Sequence, residues 1–418
     1  MRALILAAGS RGDVAPYTGV GVRLRDAGHE AVLAAPEAFA GLVGAAGLPF
    51  HALPADPRGG PAGRAGSGTR ELLRAAEVFL RDLGGGLADA VAAHRPDVLV
   101  LATTTAPLGW HIAEACGVPS VGAYLQPVAP TGAFPPVVGG ARSLGRWGNR
   151  AAGRLALRVV DRVHADAVRG LRRRLGLPPR SGTAVRRGVE ASGWPVLHGF
   201  SEVLVPRPGD WRAGLEVCGP WWPHVPDGAA LPDAVEDFLR AGPAPVFVGF
   251  GSMGAGDGAR LGELAVRALR MAGARGVVQA GAAGLAARDG GPGGEAVRER
   301  DVLWVGDVPH ALLFPRTAAV VHHAGAGTSA AALRAGVPSV PVPFTADQPF
   351  WARRLAAVGA GTAPLPAARL TAESLAAAIR DALDDASYRR AASGAARLLA
   401  REDGAGALVR RVEAAAGG

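Results

Sequence analysis

Lysine is absent from this 418-residue chain, so all 45 of its Lys-plus-Arg residues are arginine. With 61 glycines and 33 prolines beside it, that absence marks GC-rich coding, which explains the net charge of +9 more simply than nucleic-acid binding does. Aromatic residues make up only 5% of the chain and do not interleave with the densest basic patch, Arg169 and Arg172 to Arg174, as a base-stacking platform would. Nucleic acid is therefore excluded as the expected partner. Cysteine is scarce too: Cys116 and Cys218 offer no disulfide framework, which fits a reducing compartment. Long apolar runs are missing, for none approaches the roughly 20 residues of a membrane helix. The opening MRALILAAGSRGD reads as a core strand and lacks the pattern of a signal peptide. The expectation is a cytoplasmic protein of two domains, since the chain is too long for one ordinary core. The mild basic bias still favours anionic nucleotides, or transient contact with a membrane surface holding a lipophilic molecule.

What is present is an alternation. Ala3–Ala8, Glu30–Ala35, Leu48–Leu53, Asp97–Ala102 and Pro119–Tyr124 are short apolar runs separated by helical stretches from about Pro16, Pro36 and Trp110. Short buried strands alternating with helices predict an α/β fold with parallel sheets covered on both faces. The segment Ala55–Thr69 is rich in Gly, Pro and Arg, and one long helix is expected over Arg150–Leu175. The alternation restarts at Pro245–Phe250, Gly276–Ala280, Val302–Val305, Ala318–His322 and Ser339–Pro343. This divides the chain into domains at 1–205 and 231–390, a Pro- and Trp-rich crossover at 206–230, and a terminal helical segment, 391–418, expected to return to the first domain. Two facing α/β halves would place a site in the cleft, at the carboxyl ends of their strands.

The sharpest constellation is AVVHHAGAGTSAAALRAGVPSVPVPFTADQPF, residues 319–350. An apolar strand delivers His322 and His323 to a glycine turn. A helix expected to start at Thr328 and Ser329 would then present free N–H groups to an anion. Gly325 and Gly327 permit close approach to phosphate oxygens, His323 can add a charge-assisted hydrogen bond and Thr328 a hydroxyl. Adjacent strand residues face opposite ways, so the two histidines do not share a role, and no third ligand stands at metal-site spacing. Asp347 and Gln348 suit sugar hydroxyls, or equally a helix cap. Ser252, between Gly251 and Gly254, can reach a phosphate. Trp304 and Val305 are either the edge of a base pocket or core residues.

The first domain's turn, Gly9–Asp13, is not GxGxxG, although Glu30 follows at roughly the spacing of a ribose-binding acid and keeps a nicotinamide reading open. Asp13 can instead accept a proton from an acceptor hydroxyl, with Ser10 and Arg11 beside it. A carboxylate near pKa 4 is a weak base, so burial or late proton transfer has to assist it.

Together these stretches resemble the bacterial members of the nucleotide-sugar-dependent glycosyltransferases that include natural-product, macrolide and sterol enzymes. LAAGSRGDVAPYTGVGVRLRDAGHEAVLAAP, GFSEVLVPRPGDW with VCGPWW, VFVGFGSM, WVGDVPHALLFPRTAAVVHHAGAGT and AGVPSVPVPFTADQPFWARRL carry the likeness over almost the whole chain. It implies the GT-B fold, two facing Rossmann-like domains, the first binding an acceptor and the second a nucleotide-sugar donor. It implies inverting transfer from a UDP- or TDP-sugar to a hydroxyl of a lipophilic polycyclic natural product, with no cofactor and no bound metal. Ser252, His323, Gly325, Gly327 and Thr328 would hold the diphosphate, Trp304 and Val305 the base, and Asp347 and Gln348 the sugar. Asp13 would take the position of the catalytic base, and His323 would stabilise the leaving group. The family's HHGG turn is HHAG here, with Ala324 replacing a glycine. A sterol- or hopanoid-type lipid acceptor and a non-catalytic helper protein are the alternatives. The expected assembly is a monomer or a homodimer.

Overall fold

The computed structural model describes residues 1–55, 69–139, 142–251, 253, 257–281, 285, 297–299 and 301–417. The Gly- and Pro-rich 56–68 stretch, Ser252 and Gly254 lie outside the described residues. Two compact units emerge, Met1–Glu202 with Pro206–Pro226 and Asp403–Gly418, and Val203–Val205 with Asp227–Glu402.

The first unit runs β1 (Arg2–Leu6), α1 (Arg11–Asp26), β2 (Glu30–Pro36), α2 (Ala40–Ala45), β3 (Phe50–Leu53), α3 (Thr69–His94), β4 (Val98–Ala102), α4 (Ala106–Cys116), β5 (Ser120–Tyr124), α5 (Gly145–Val163), α6 (Ala165–Arg174), α7 (Gly182–Ala191), β6 (Val196–His198) and β7 (Leu215–Val217). Its seven strands are parallel in the order β3-β2-β1-β4-β5-β6-β7. The order reverses between β1 and β4, so the loops after those strands open a crevice at their carboxyl ends. The strands are nearly continuous apolar runs because both faces are covered. Where one helix was expected over 150–175, a single-residue interruption at His164 separates α5 from α6.

The second unit runs α8 (Asp233–Arg240), β8 (Val246–Gly249), α9 (Gly258–Met271), β9 (Gly276–Gln279), β10 (Val297–Glu299), β11 (Val302–Val305), α10 (His310–Leu313), β12 (Ala319–His322), α11 (Ala326–Arg334), β13 (Ser339–Pro341), α12 (Gln348–Val358), α13 (Ala372–Asp384) and α14 (Ala386–Leu399). Its sheet order is β10-β11-β9-β8-β12-β13. All neighbours are parallel except the edge strand β10, which runs antiparallel to β11. Here the reversal falls between β8 and β12.

The last helix, α15 (Gly404–Ala416), belongs to the first unit, where Leu408, Val409 and Val412 share a core with Tyr17, Val20 and Leu24 of α1. Its entry is tight: a Cβ on Gly404 would stand 2.2 Å from the carbonyl oxygen of Gly219, and the Trp221 indole donates to the Gly404 carbonyl at 3.1 Å. Residues 391–402, placed with the returning segment in the sequence reading, pack in the second unit.

Candidate active site

In the first unit the chain leaves β1 and turns at Gly9, whose φ of +138° suits only glycine; a Cβ there would stand 2.6 Å from Asp13 Oδ2. Helix α1 starts at Arg11, five residues before the expected Pro16, so Asp13 lies in its first turn and not in a loop. The reason is local. Asp13 Oδ2 accepts the Ser10 backbone N–H at 2.9 Å and its hydroxyl at 2.8 Å, which satisfies the helix entry. Asp13 is half-buried, while Ser10 and Arg11 are exposed. The other oxygen, Oδ1, faces the Gln126 amide at 3.4 Å, and Gln126 in turn accepts the Thr103 hydroxyl at 3.2 Å. Thr104 and Thr105 donate to the carbonyls of Ala8 and Leu6 and tie the loop after β4 to the end of β1. Glu30 stands at the opposite end of the sheet. It opens β2, opposite Arg2 in the register, and pairs with the Arg2 guanidinium at 2.6 Å. That position removes the ribose-binding role it would need in a nicotinamide site.

In the second unit His322 closes β12 and is wholly buried. Its Nδ1 accepts the Ala324 N–H at 3.1 Å, which folds the turn. Ala324 takes a φ of +61° there, in the left-handed region where a side chain costs about 1–2 kcal/mol. This is the position where the resembling family has glycine. His323 leads out of the turn, with its ring between two glycines. A Cβ on Gly251 would lie 3.1 Å from its Cε1, and one on Gly325 would lie 2.5 Å from its Nε2. Its buried Nδ1 has no hydrogen-bond partner among the described residues.

Helix α11 starts at Ala326, two residues before the expected Thr328, because Gly325 takes the cap position with extended backbone. No side chain caps it and its first turn holds no acidic residue, so the amides of Ala326, Gly327 and Thr328 keep the unpaired donors of a helix N-terminus. Burial, aided by the neighbouring His310, lowers the His323 pKa to about 4; burial with both neighbouring imidazoles lowers His322 to about 3. Both rings are therefore held neutral at physiological pH, each with one N–H to donate.

The remaining positions divide. Trp304 and Val305 on β11 are both buried, Trp304 in the core with α9 and α13 and Val305 in the core on the other face of the sheet. The Trp304 side chain is a core residue here and offers no exposed edge. Asp347 takes the N-cap position of α12 without a side-chain cap bond; its Oδ2 accepts the Trp351 indole N–H at 2.8 Å. Gln348 is buried and its Oε1 accepts the N–H groups of Phe344 and Thr345 at 2.8 and 3.1 Å.

Sequence reasoning missed Gln126, Thr103 and, in the second unit, Gln279, the last residue of β9, whose Oε1 meets His310 Nε2 at 3.4 Å. The signal was available: each is a polar side chain at or just beyond the carboxyl end of an apolar strand, where both sheets open.

Residues 3–135 match the glycosyltransferase family 28 N-terminal domain, and residues 294–412 match the C-terminal domain of proteins like erythromycin biosynthesis protein CIII. The O-mycaminosyltylonolide 6-deoxyallosyltransferase of Streptomyces fradiae is 37% identical over 403 residues, covering 92% of this chain and 90% of that protein. A sterol 3-beta-glucosyltransferase of Arabidopsis thaliana is 33% identical over 431 residues; the match covers 98% of this chain but only 65% of the plant protein's length. Among solved structures, the glycosyltransferase VinC in complex with dTDP shares the fold with a TM-score of 0.66 at 20% identity, over 100% of this chain and 99% of that one.

Proposed function

The chain belongs to the GT-B glycosyltransferase family that these macrolide and sterol enzymes represent, and from that membership we propose inverting, metal-independent sugar transfer from a UDP- or TDP-sugar to a hydroxyl of a lipophilic polycyclic natural product. The observation that carries this reading is the N-terminus of α11. It has no acid and no side-chain cap, and it lies beside a histidine clamped between glycines with an unpaired buried nitrogen. Such a site receives a diphosphate through backbone N–H groups and the helix dipole.

In the proposed reaction the acceptor oxygen attacks the anomeric carbon from the face opposite the diphosphate. The bond from that carbon to the diphosphate oxygen breaks, and the nucleoside diphosphate leaves with the electron pair. His323 and the α11 amides stabilise the charge that develops on it. Asp13 accepts the hydroxyl proton on Oδ1, since Oδ2 is engaged by Ser10. Gln348 binds the sugar through its amide NH2, its carbonyl being held by Phe344 and Thr345. Asp347 joins it. Ser252 adds a phosphate contact. Val305 contributes its end of β11, rather than its buried side chain, to the base site.

A second reading, transfer to a sterol- or hopanoid-type lipid, is favoured by the likeness to the plant sterol enzyme. The test is incubation of the purified protein with chelator, UDP- and TDP-sugars and mixed hydroxylated polycyclic acceptors. Mass spectrometry follows acceptor gain and nucleotide release. A hexose- or deoxyhexose-sized gain on a natural product supports the reading. Gain only on lipid acceptors selects the second. Absence of both donor binding and nucleotide release sinks both.

A further inference from the structure

Helix α5 carries arginine at every fourth position, Arg146, Arg150, Arg154, Arg158 and Arg162. An α-helix turns roughly 40° past a full circle in four residues, so this row winds from the packed side of the helix to the solvent side. Arg150 lies inward and pairs with Asp210. Asp210 holds α5 to the 131–132 loop: it accepts from Thr131, from the Gly132 N–H and from Arg150, and although burial opposes ionisation these bonds keep its carboxyl well below the usual range. At the far end Asp161, the only acid on the helix, is buried against Arg186 of α7. Both ends are therefore fixed by ion pairs that use up the acids.

The outward face has the opposite character. Arg154, Arg158 and Arg162 are exposed and make no ion pair with any described residue, whereas Arg2, Arg23, Arg174, Arg240, Arg260, Arg267 and Arg316 elsewhere each have an acidic partner. Among these free cations stand large apolar side chains in water: Trp147 is 86% exposed, Leu144 65%, Leu155 59% and Val159 55%. Trp147 is the most exposed large apolar residue described in the molecule. An exposed apolar row rimmed by charge of one sign marks an interaction surface.

We propose that this face of α5 docks on an anionic lipid bilayer. Arginine interleaved with Trp, Leu and Val on one helix face, without acidic residues, matches an interface of anionic headgroups above acyl chains; indole rings favour that depth and long basic side chains reach back to the phosphates. A second copy of the same face would bring unpaired arginines against unpaired arginines, which argues against self-association. The helix begins beyond the carboxyl end of β5, the end of the sheet at which Gln126 and Asp13 lie. The inference is independent of the reaction proposed above, and its test reads no turnover.

The full chain would be mixed with sedimentable vesicles of phosphatidylcholine alone or with phosphatidylglycerol added, at low and high salt. Two surface variants accompany it, Trp147→Ser with Leu155→Ser, and Arg154→Gln with Arg158→Gln and Arg162→Gln. All five side chains are exposed, so circular dichroism should be unchanged. The expected result is association with phosphatidylglycerol vesicles that weakens at high salt, is at least tenfold weaker on phosphatidylcholine, and falls roughly tenfold or more in either variant. Brominated lipid should quench indole fluorescence less in Trp147→Phe. No association with phosphatidylglycerol vesicles, or association that both variants leave unchanged, overturns the proposal. So does a solution dimer that the variants dissociate, which gives the face to a second copy. Capture by an acidic protein without vesicle binding likewise overturns it.

Discussion

The turn after β1 and the turn after β12 are the same device put to opposite uses. Each follows a buried parallel strand at the point where its sheet order reverses, and each opens a helix. In the first, Asp13 sits three residues into α1 and its carboxylate takes the Ser10 N–H and hydroxyl. The helix N-terminus is filled by the chain's own anion. In the second, Thr328 sits three residues into α11, no acid or side-chain cap is present, and the amides stay open. One turn displays a carboxylate and the other leaves its amides open to one. Topology supplies the place; a single side chain at the third helical position sets the sign.

The comparison can be broken from either side. The largest expected effect is Asp13→Asn. The amide oxygen can still accept from Ser10, so the helix entry and donor affinity persist while turnover falls about 10²- to 10⁴-fold; kinetics beside calorimetric titration with UDP or TDP would check it. The reciprocal change, Thr328→Asp, gives the second turn the first turn's occupant. Nucleoside diphosphate affinity should fall about 100-fold or more through like-charge repulsion, while thermal stability holds or rises by about 0.3–1 kcal/mol. Undiminished donor binding in that variant would remove α11 from the site.

A third prediction concerns protons. His322 and His323 are held at about 3 and 4, and burial holds His111 and His198 at about 4 as well. Each lies below the ordinary value near 6.5, so on acidification the unfolded chain takes up these protons first. Stability is therefore full above about pH 6.5 and declines from there toward pH 4. Urea midpoints measured across that range test it, and a flat profile would mean the rings are not held neutral. The smallest effect is Ala324→Gly. Relief of about 1–2 kcal/mol of left-handed strain is offset by glycine's greater freedom when unfolded, about 0.5–1 kcal/mol. The net shift should stay within about 1 kcal/mol, with donor affinity unchanged; a large loss of either would give the buried methyl a role.

Much of this contrast was legible in the residues. Glycine at positions 9, 325 and 327, serine before aspartate, and histidines at a strand end are local chemistry, and turns and caps are local structures. Helix starts were read late at both turns, by five residues at α1 and two at α11, because Pro16 and Thr328 look like first-turn residues while Ser10 and Gly325 take the cap positions. Trp304 could not be assigned from its neighbours, since its exposure depends on whether α9 and α13 cover that face of β11.

The sequence by itself determined the alternation of strand and helix, the two reversal-point turns and the residues that stand in them, because backbone preference, capping and burial period act within a few residues. Tertiary structure decided the rest. It set Glu30 against Arg2 at the wrong end of the sheet for a ribose, brought Gln126 to Asp13, clamped His323 beside Gly251, made the paired histidines neutral and returned α15 to α1. These depend on strand register and on packing between residues tens to hundreds of positions apart, where the cost of burying a charge or the fit of a ring is set by neighbours that the local sequence does not contain.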